Sequence, residues 1–227
     1  MIREIFEAID YIVNAREILI VSHFDADGLA SAIILAHTIR KLRIPYKIKI
    51  LDQLTTEDYK TLINLPHDTI IFADFGSVVS RNFQSIEKNI IIIDHHEIPD
   101  KENPFIIEIN PHKYNYDGNT EISSSGLSYL IARNLNQENI ILVPYALAGA
   151  YGDQQDISEE RDFIGLNKII ANEGIQNGII KRTTRLFAIT PTTKLAKAIQ
   201  NTTNLSEEEI RELSIPDKMI KELTQEE

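Results

Sequence analysis

Short apolar runs rich in β-branched residues recur through the first 110 residues of the chain, separated by longer helical patterns. Runs of this kind are typical of strands that are buried on both faces, as in a parallel sheet covered by helices on both sides. The alternation of the two patterns predicts an α/β protein with a doubly wound, mainly parallel, five-stranded sheet. The predicted strands are residues 18–22, 46–51, 69–73, 89–93 and 105–109.

Helical patterns lie between the strands and fill the chain after Asn110, where the strand-like runs stop. A further helix is expected to begin at Ser206, since a serine caps a helix and the glutamates after it suit the positive end of the helix dipole. We therefore expect an α/β catalytic domain over residues 1–160, followed by a helical extension over residues 161–227. The other predicted helices are residues 29–42, 56–64, 79–88, 124–134, 140–151, 161–173, 178–187 and 191–200.

Composition excludes several kinds of site. The chain has 227 residues, 43% of them hydrophobic, and no cysteine, so it can bury a large core but cannot form disulfides or cysteine-ligated metal centres. The chain lacks a signal-peptide pattern, and its apolar runs are too short to cross a bilayer, so we expect a cytoplasmic protein without a membrane partner. The formal net charge of -11 argues against a broad basic groove for nucleic acid. Carboxylates at a cation site would nevertheless be neutralised by bound metal.

Acidic and histidine residues follow three of the predicted strands, and one more acidic residue ends a helical pattern. The carboxyl ends of parallel strands meet at one edge of a sheet, which is where ligands bind in open α/β folds. Each residue alone has an ordinary explanation as a helix cap or a turn residue. Together they would place uncompensated negative charges close to each other unless cations were bound there. The residues are His23, Asp25, Asp27, Asp74, Asp94, His95, His96 and Asp153.

The donor types indicate which metals would bind. Imidazole and carboxylate ligands without sulfur suit Mn²⁺, Mg²⁺ or Zn²⁺, and the histidines favour Mn²⁺ over Mg²⁺. Two such cations roughly 3.5–4 Å apart would activate a water and stabilise the leaving oxygen of an in-line displacement at phosphorus. The sequence has neither a Gly-x-Ser-x-Gly elbow nor a Walker loop. These residues are compatible with metal-dependent phosphoryl transfer, which needs positioning and charge neutralisation more than a protein nucleophile.

The order His-x-Asp-x-Asp-Gly, strand-ending Asp, Asp-His-His and Gly-Asp resembles the four motifs of the DHH phosphoesterase superfamily, over residues 18–156. The resemblance implies two manganese ions, with Asp74 bridging them. It also implies that His96 faces the scissile phosphate and that Asp94 orients the histidines. The implied metal ligands are His23, Asp25, Asp27, Asp74, His95 and Asp153.

A narrower resemblance is to archaeal RecJ-like proteins. It is carried by Asn110-Pro111, Asp117-Gly118, the run Glu-Ile-Ser-Ser-Ser-Gly at residues 121–126, and Gly152-Asp153-Gln154-Gln155. Archaeal members of this group include nucleases that associate with the GINS replication complex. Many DHH enzymes also carry a glycine-rich domain that clamps substrate, and no such glycine run follows Asp153 here. The chain is therefore expected to be a fragment of a longer protein or a shortened member that works with a partner.

A substrate-binding role is predicted for a serine-rich helix start and for one loop histidine. Ser124, Ser125 and Gly126 lie at a predicted helix N-terminus, where free amides and hydroxyls either accept a phosphate or simply cap the helix. His112 is the second candidate for a substrate contact.

Three functions stay open at this stage. The first is a single-strand-specific exonuclease or oligonucleotide phosphodiesterase that acts on single-stranded DNA or RNA. The second is a non-catalytic, GINS-associated assembly subunit of the replication machinery, which the acidic charge and the missing clamp favour. The third is a small-molecule phosphatase or pyrophosphatase, which would need no basic groove.

Overall fold

The computed structural model describes residues 1–79, 88–98, 103–158 and 162–182. The chain divides into two compact units, Met1–Lys181 and Arg182–Glu227. Of the second unit only Arg182 is among the described residues, so the described fold is that of the first unit.

A five-stranded parallel sheet forms the centre of this unit, with strand order β2-β1-β3-β4-β5. The predicted α/β class with a parallel sheet is therefore confirmed. The chain passes from β1 outward to β2 and then returns to place β3 on the other side of β1, so the direction of winding changes between β1 and β3. Ligands bind outside the carboxyl ends of the strands at such a switch point. The strands are β1 (Ile18–His23), β2 (Tyr46–Leu51), β3 (Thr69–Ala73), β4 (Asn89–Ile93) and β5 (Ile107–Ile109).

Six α-helices are present in the described ranges, and all but α3 contribute buried residues to one face of the sheet. Along β1 the side chains alternate between the two faces, as the pleat of a strand requires. Ile18 and Ile20 pack with the helices of the larger cluster, whereas Leu19 and Val21 pack with residues of α3. The helices are α1 (Ile2–Val13), α2 (Ala26–Lys41), α3 (Thr56–Ile63), α4 (Ser124–Leu135), α5 (Val143–Gly152) and α6 (Gly165–Gln176).

Side-chain caps set the starts of α2 and α3. The carboxylate of Asp25 accepts a hydrogen bond from the backbone N–H of Gly28, so α2 begins three residues earlier than its predicted start at residue 29. Thr55 and Asp58 form a reciprocal capping box at the start of α3. The cap of α2 matters for the site, because it fixes the position of Asp25, which is one of the predicted metal ligands.

Helix α1 was not predicted, although Ile5, Ala8 and Ile12 recur at helical spacing and are buried against the sheet. Besides the start of α2, three predicted starts differ from the structure, and several predicted ends differ by one to three residues. The strand predicted to begin at residue 105 begins at Ile107, the helix predicted from residue 140 is a 3₁₀ helix up to Leu142, and the helix predicted from residue 161 begins at Gly165.

Other helix predictions fall on residues that the structure does not describe. Residues 80–87 of the predicted helix 79–88, and the predicted helices at 191–200 and from Ser206, lie outside the described ranges. The described part of the predicted helix 178–187, up to Arg182, is not helical. Helix α6 contacts α4 and α5 and belongs to the unit Met1–Lys181. The domain division at residue 160 stays a prediction.

In the ranges that the structure describes, no helix is both long enough and apolar enough to span a bilayer.

Candidate metal centre

The acidic and histidine residues predicted from the sequence meet at the carboxyl edge of the sheet. His23 ends β1, Asp74 follows β3, and His95 comes two residues after the end of β4. Two further carboxylates reach the same place from helices: Asp27 lies in the first turn of α2, and Asp153 caps the end of α5. The sheet topology therefore collects residues that are up to 130 positions apart in sequence (23 to 153).

Two groups of ligand atoms share Asp74. The first group is His23, Asp25 and Asp74, and the second is Asp27, Asp74, His95 and Asp153; within each group the ligand atoms lie within 4.8 Å of one another. A third grouping joins His96 to Asp74 and His95.

The two oxygens of Asp74 face different groups. Its Oδ2 lies 3.3 Å from Nδ1 of His23, and its Oδ1 lies 3.4 Å from Nε2 of His95. Around this carboxylate, His23 Nδ1 is 2.8 Å from Asp25 Oδ2, and His95 Nε2 is 3.3 Å from Asp153 Oδ2. A carboxylate placed in this way has the geometry of a bridging ligand between two cations.

Asp74 adopts an uncommon backbone conformation. Its φ angle is +69°, in the left-handed region that few residues other than glycine occupy. Its backbone N–H donates to the carbonyl oxygen of Ile93 on β4 at 2.8 Å, which ties the turn to the neighbouring strand. Backbone conformations of this kind cluster at functional sites, where the surrounding structure holds them.

The charges of the cluster call for a cation. Burial, together with the negative charge of Asp27, raises the pKa of Asp74 and the pKa of Asp153 above the usual range of a carboxyl group. Oδ1 of Asp74 is buried and has no hydrogen-bond partner within the described residues. An orphaned carboxylate oxygen among oxygen and imidazole donors is what a hard or borderline divalent cation would satisfy. The residues present therefore fit a divalent metal.

Helix α4 holds Asp27 in place. The backbone N–H groups of Ser124 and Ser125 donate to the two oxygens of Asp27 at 2.7 and 3.0 Å. The N–H of Gly126 donates to Oγ of Ser123, which caps the helix. All four residues at this helix start are buried. The N-terminus of α4 is thus occupied by a carboxylate of the chain itself, and a contact of Ser124, Ser125 or Gly126 with substrate stays a prediction.

Asp94 and His96 form a separate pair beside the cluster. Nδ1 of His96 lies 2.8 Å from Oδ1 of Asp94, whose other oxygen accepts from the N–H of Ser77 at 3.0 Å. Burial would raise the pKa of Asp94. The hydrogen bond and charge of the His96 ring, together with the backbone N–H groups of Ser77 and His96, hold this pKa below its usual range. The side chain of His96 is 56% exposed, so its Nε2 edge is open to a ligand while Asp94 fixes the ring.

Buried amides behind His95 were not predicted. Nδ1 of His95 lies 2.7 Å from the carbonyl oxygen of Gly118, and Nε2 of Gln155 donates to the same oxygen at 2.8 Å. Asn167, on α6, donates to Oε1 of Gln155 at 2.6 Å. Both amide side chains are completely buried. No periodicity could have indicated them, because the partners are far apart in sequence and join only in the folded chain.

His112 contacts the backbone of His95. Its Nε2 is 3.0 Å from the carbonyl oxygen of His95, and its own backbone N–H donates to Asn110. A Cβ added at Gly118 would lie 1.8 Å from the carbonyl oxygen of His95, so only glycine fits between these histidines. The geometry supports a role for His112 in packing this turn, and its predicted substrate contact stays a prediction.

The class of the protein follows from a family match. Residues 17–152 match the model of the DHH family, N-terminal domain. The chain belongs to the DHH family, which is a phosphoesterase superfamily, and the predicted resemblance to the DHH superfamily is confirmed.

Among curated proteins, an uncharacterized protein of Methanocaldococcus jannaschii is 33% identical over 177 residues, which are 72% of this chain and 38% of that protein. The chain thus spans well under half the length of this relative.

Two solved structures share the fold at low sequence identity. RecJ of Thermus thermophilus in complex with Mn²⁺ is 18% identical with a TM-score of 0.61, over 77% of this chain and 27% of that chain. CDC45 of Entamoeba histolytica is 16% identical with a TM-score of 0.61, over 88% of this chain and 46% of that chain.

A third neighbour is an exopolyphosphatase-related protein of Bacteroides fragilis. It is 17% identical with a TM-score of 0.52, over 93% of this chain and 63% of that chain. At these identities the three structures show a shared fold.

Proposed function

We propose that this chain is a divalent-metal-dependent phosphodiesterase of RecJ type that hydrolyses single-stranded nucleic acid or short oligonucleotides. The observation that carries the proposal is the position of Asp74, whose two oxygens face two separate groups of ligand atoms. A pair of sites that shares one carboxylate suits phosphoryl transfer, which depends on positioning and charge neutralisation more than on a protein nucleophile.

The ligand roles follow from the two groups. His23 and Asp25 would hold one cation, Asp27, His95 and Asp153 the other, and Asp74 both. Bound there, two divalent cations, with Mn²⁺ preferred and Mg²⁺ as the alternative, would supply an activated water and neutralise charge on the phosphate. The chain's own contribution is to hold the ligands: α4 fixes Asp27, and the cap of α2 fixes Asp25.

His96 is proposed to act at the substrate. Its ring is oriented by buried Asp94, and its backbone carbonyl accepts from the side-chain amide of Asn110 at 2.9 Å, so both ends of the residue are fixed. Nδ1–H of His96 donates to the Asp94 carboxylate, so Nε2 donates a hydrogen bond to a non-bridging phosphate oxygen when the ring carries both protons. A donor aimed at charge that develops in the transition state lowers the barrier of the chemical step.

A second candidate function is a non-catalytic subunit of a replication complex, associated with GINS. The shared fold with CDC45 and the net charge of -11 favour it. A third candidate, hydrolysis of small phosphorylated molecules or pyrophosphate, is favoured by the fold shared with an exopolyphosphatase-related protein. We place the non-catalytic subunit after the phosphodiesterase, because all six predicted metal ligands lie in the two ligand groups. Hydrolysis of small phosphorylated molecules would use the same ligands, so the choice of substrate separates it from the phosphodiesterase. Under each candidate we propose a cytoplasmic location.

The test is hydrolysis of an end-labelled single-stranded oligonucleotide, with Mn²⁺ and with chelator, by wild type, Asp74→Asn and Asp52→Asn. Asp52 is a matched control, because it follows β2 at the same edge of the sheet, is exposed, and belongs to none of the ligand groups. We expect Mn²⁺-dependent cleavage by wild type and Asp52→Asn, and none by Asp74→Asn.

Pyrophosphate is tested in parallel. Cleavage of pyrophosphate but not of the oligonucleotide would support the third candidate. No hydrolysis of either substrate by metal-loaded wild type would support the assembly subunit.

A further inference from the structure

An exposed aromatic ring lies directly beside the proposed metal ligands. Phe24 stands between His23 and Asp25 in the chain, and its ring meets the imidazole of His23 edge-on, with the centroids 4.9 Å apart and the planes at 82°. The side chain is nevertheless 54% exposed. An aromatic side chain that is held by a ligand residue and still open to solvent is available to cover part of a bound molecule.

The segments that build the site lack the two residue types that most often bind phosphate charge. Residues 18–31, 69–79, 89–98, 115–128 and 143–157 contain neither lysine nor arginine. A chain of phosphates carries a negative charge on every unit, and proteins usually neutralise such charge with arginine or lysine. These segments therefore offer one place for phosphate charge, at the proposed cations, and apolar aromatic surface next to it.

We propose that Phe24 is a stacking platform for the nucleobase adjacent to the scissile phosphate. This inference rests on the function proposed above and deepens it, because it names a nucleotide, rather than a further phosphate, as the neighbour of the reacting group. Every base has a π face, so stacking on Phe24 would bind nucleotides without selecting a sequence. Covering the exposed ring would also remove apolar surface from water.

The experiment compares two fluorescent single-stranded oligothymidylates of equal length. One carries bases throughout, and in the other the two terminal nucleotides at each end are abasic. Binding is measured by fluorescence anisotropy in Ca²⁺ and hydrolysis in Mn²⁺, with wild type, Phe24→Ala and Phe24→Trp. Phe6→Ala is the matched control. Phe6 is 56% exposed and lies on α1, a helix that contributes no residue to the ligand groups.

We expect Phe24→Ala to weaken binding and kcat/KM about 10-fold to 100-fold for the strand with terminal bases, and to leave the abasic-ended strand unchanged. Phe24→Trp should restore binding, and Phe6→Ala should have no effect. Equal losses on both strands would overturn the proposal, because Phe24 would then act through His23 and the metals. So would an absence of any loss, or equal binding of the two strands by wild type. If wild type binds the strand with terminal bases more tightly through Phe24 but hydrolyses neither strand in Mn²⁺, the phosphodiesterase proposal is contradicted and the stacking proposal is supported.

Discussion

The ring nitrogen Nδ1 of His95 lies 2.7 Å from the carbonyl oxygen of Gly118, a contact between the turn after β4 and a loop 23 residues further along the chain. A carbonyl oxygen can only accept, so Nδ1 donates to it, and Nε2 is the ring nitrogen that faces the carboxylates and is left to bind a cation. Metal-ligating histidines are commonly oriented in this way by a hydrogen bond from their second nitrogen. The loop around Gly118 thus determines which nitrogen of His95 can bind a cation.

Gln155 supports this carbonyl, and its loss should weaken metal binding. In Gln155→Leu, Asn167 would keep a buried amide without its acceptor, and Gly118 would lose its second donor. We expect Mn²⁺ affinity to fall about 10-fold to 100-fold and stability to fall by about 1–3 kcal/mol. Isothermal titration with Mn²⁺ and thermal unfolding without metal measure the two effects.

Gln176→Leu is the control for this variant, because Gln176 is exposed at the end of α6. A Gln155→Leu protein that is less stable but binds Mn²⁺ as tightly as wild type would show that the amides support only the fold. The ¹⁵N shifts of His95, which report the tautomer, should also change in Gln155→Leu and not in the control.

The packing of α5 against Asp27 leaves no room for a side chain at Gly149. A Cβ there would lie 2.3 Å from Oδ1 of Asp27 and 2.2 Å from Oγ of Ser125. Gly149→Ala should displace the carboxylate, reduce Mn²⁺ affinity at least tenfold, and destabilise the protein by about 1–3 kcal/mol. Gly178→Ala strains the backbone at φ +70° but meets no atom, so it controls for stability loss without a change at the site. Equal Mn²⁺ affinities in the two variants would contradict this account of Asp27.

Metal binding should stabilise the protein more at high pH than at low pH. In the metal-free protein, burial and the charge of Asp27 raise the pKa of Asp153 to about 7 and that of Asp74 to about 9. A raised folded pKa contributes stability below the unfolded value of about 4. That contribution is lost as pH rises through 7 and then 9. Since Mn²⁺ competes with these protons, the rise in Tm on adding Mn²⁺ should be clearly larger at pH 8 than at pH 5.5. An equal rise at the two pH values would contradict the proposed ligand set.

His96 should affect turnover more than metal occupancy. Its imidazole is oriented by Asp94 and 56% exposed, a position suited to the substrate phosphate. We expect His96→Gln to lower kcat about 100-fold or more while the Mn²⁺ affinity stays within a few-fold of wild type. Asp94→Asn should lower kcat in the same direction, because it alters the hydrogen bond that orients the ring. Loss of bound Mn²⁺ in His96→Gln would instead place His96 among the ligands.

The sheet and the ligand residues were accessible from sequence for a simple physical reason. Strands buried on both faces leave long apolar runs, such as Ile90 to Ile93, and the polar residue after each run must lie at the same edge. The strand bounds at residues 69–73 and 89–93 agree with the structure for that reason, and those at 46–51 agree although β2 is a largely exposed edge strand. The amphipathic pattern of α1, with Ile5, Ala8 and Ile12 at helical spacing, is equally visible in the sequence.

The contacts that orient the ligands were not accessible. Asp27 is held by backbone amides 97 and 98 residues away. His95 is held by the backbone carbonyl of Gly118, a group that every residue type has. Backbone groups carry no sequence signal, so the serines at the start of α4 suggested an open anion site although a carboxylate of the chain occupies it. Only the packing of α4 against α2 reveals this pairing.

The central claim is that Asp74 joins two cations, and the most direct test is the stoichiometry and magnetic coupling of bound Mn²⁺. Titration of wild type should give two ions per chain, and electron paramagnetic resonance of the loaded protein should show exchange coupling, as expected for ions about 3.5–4 Å apart. Asp74→Asn should lose the coupled signal, whereas Asp52→Asn should keep it. A wild-type protein that binds a single ion, or two ions without coupling, would contradict the account.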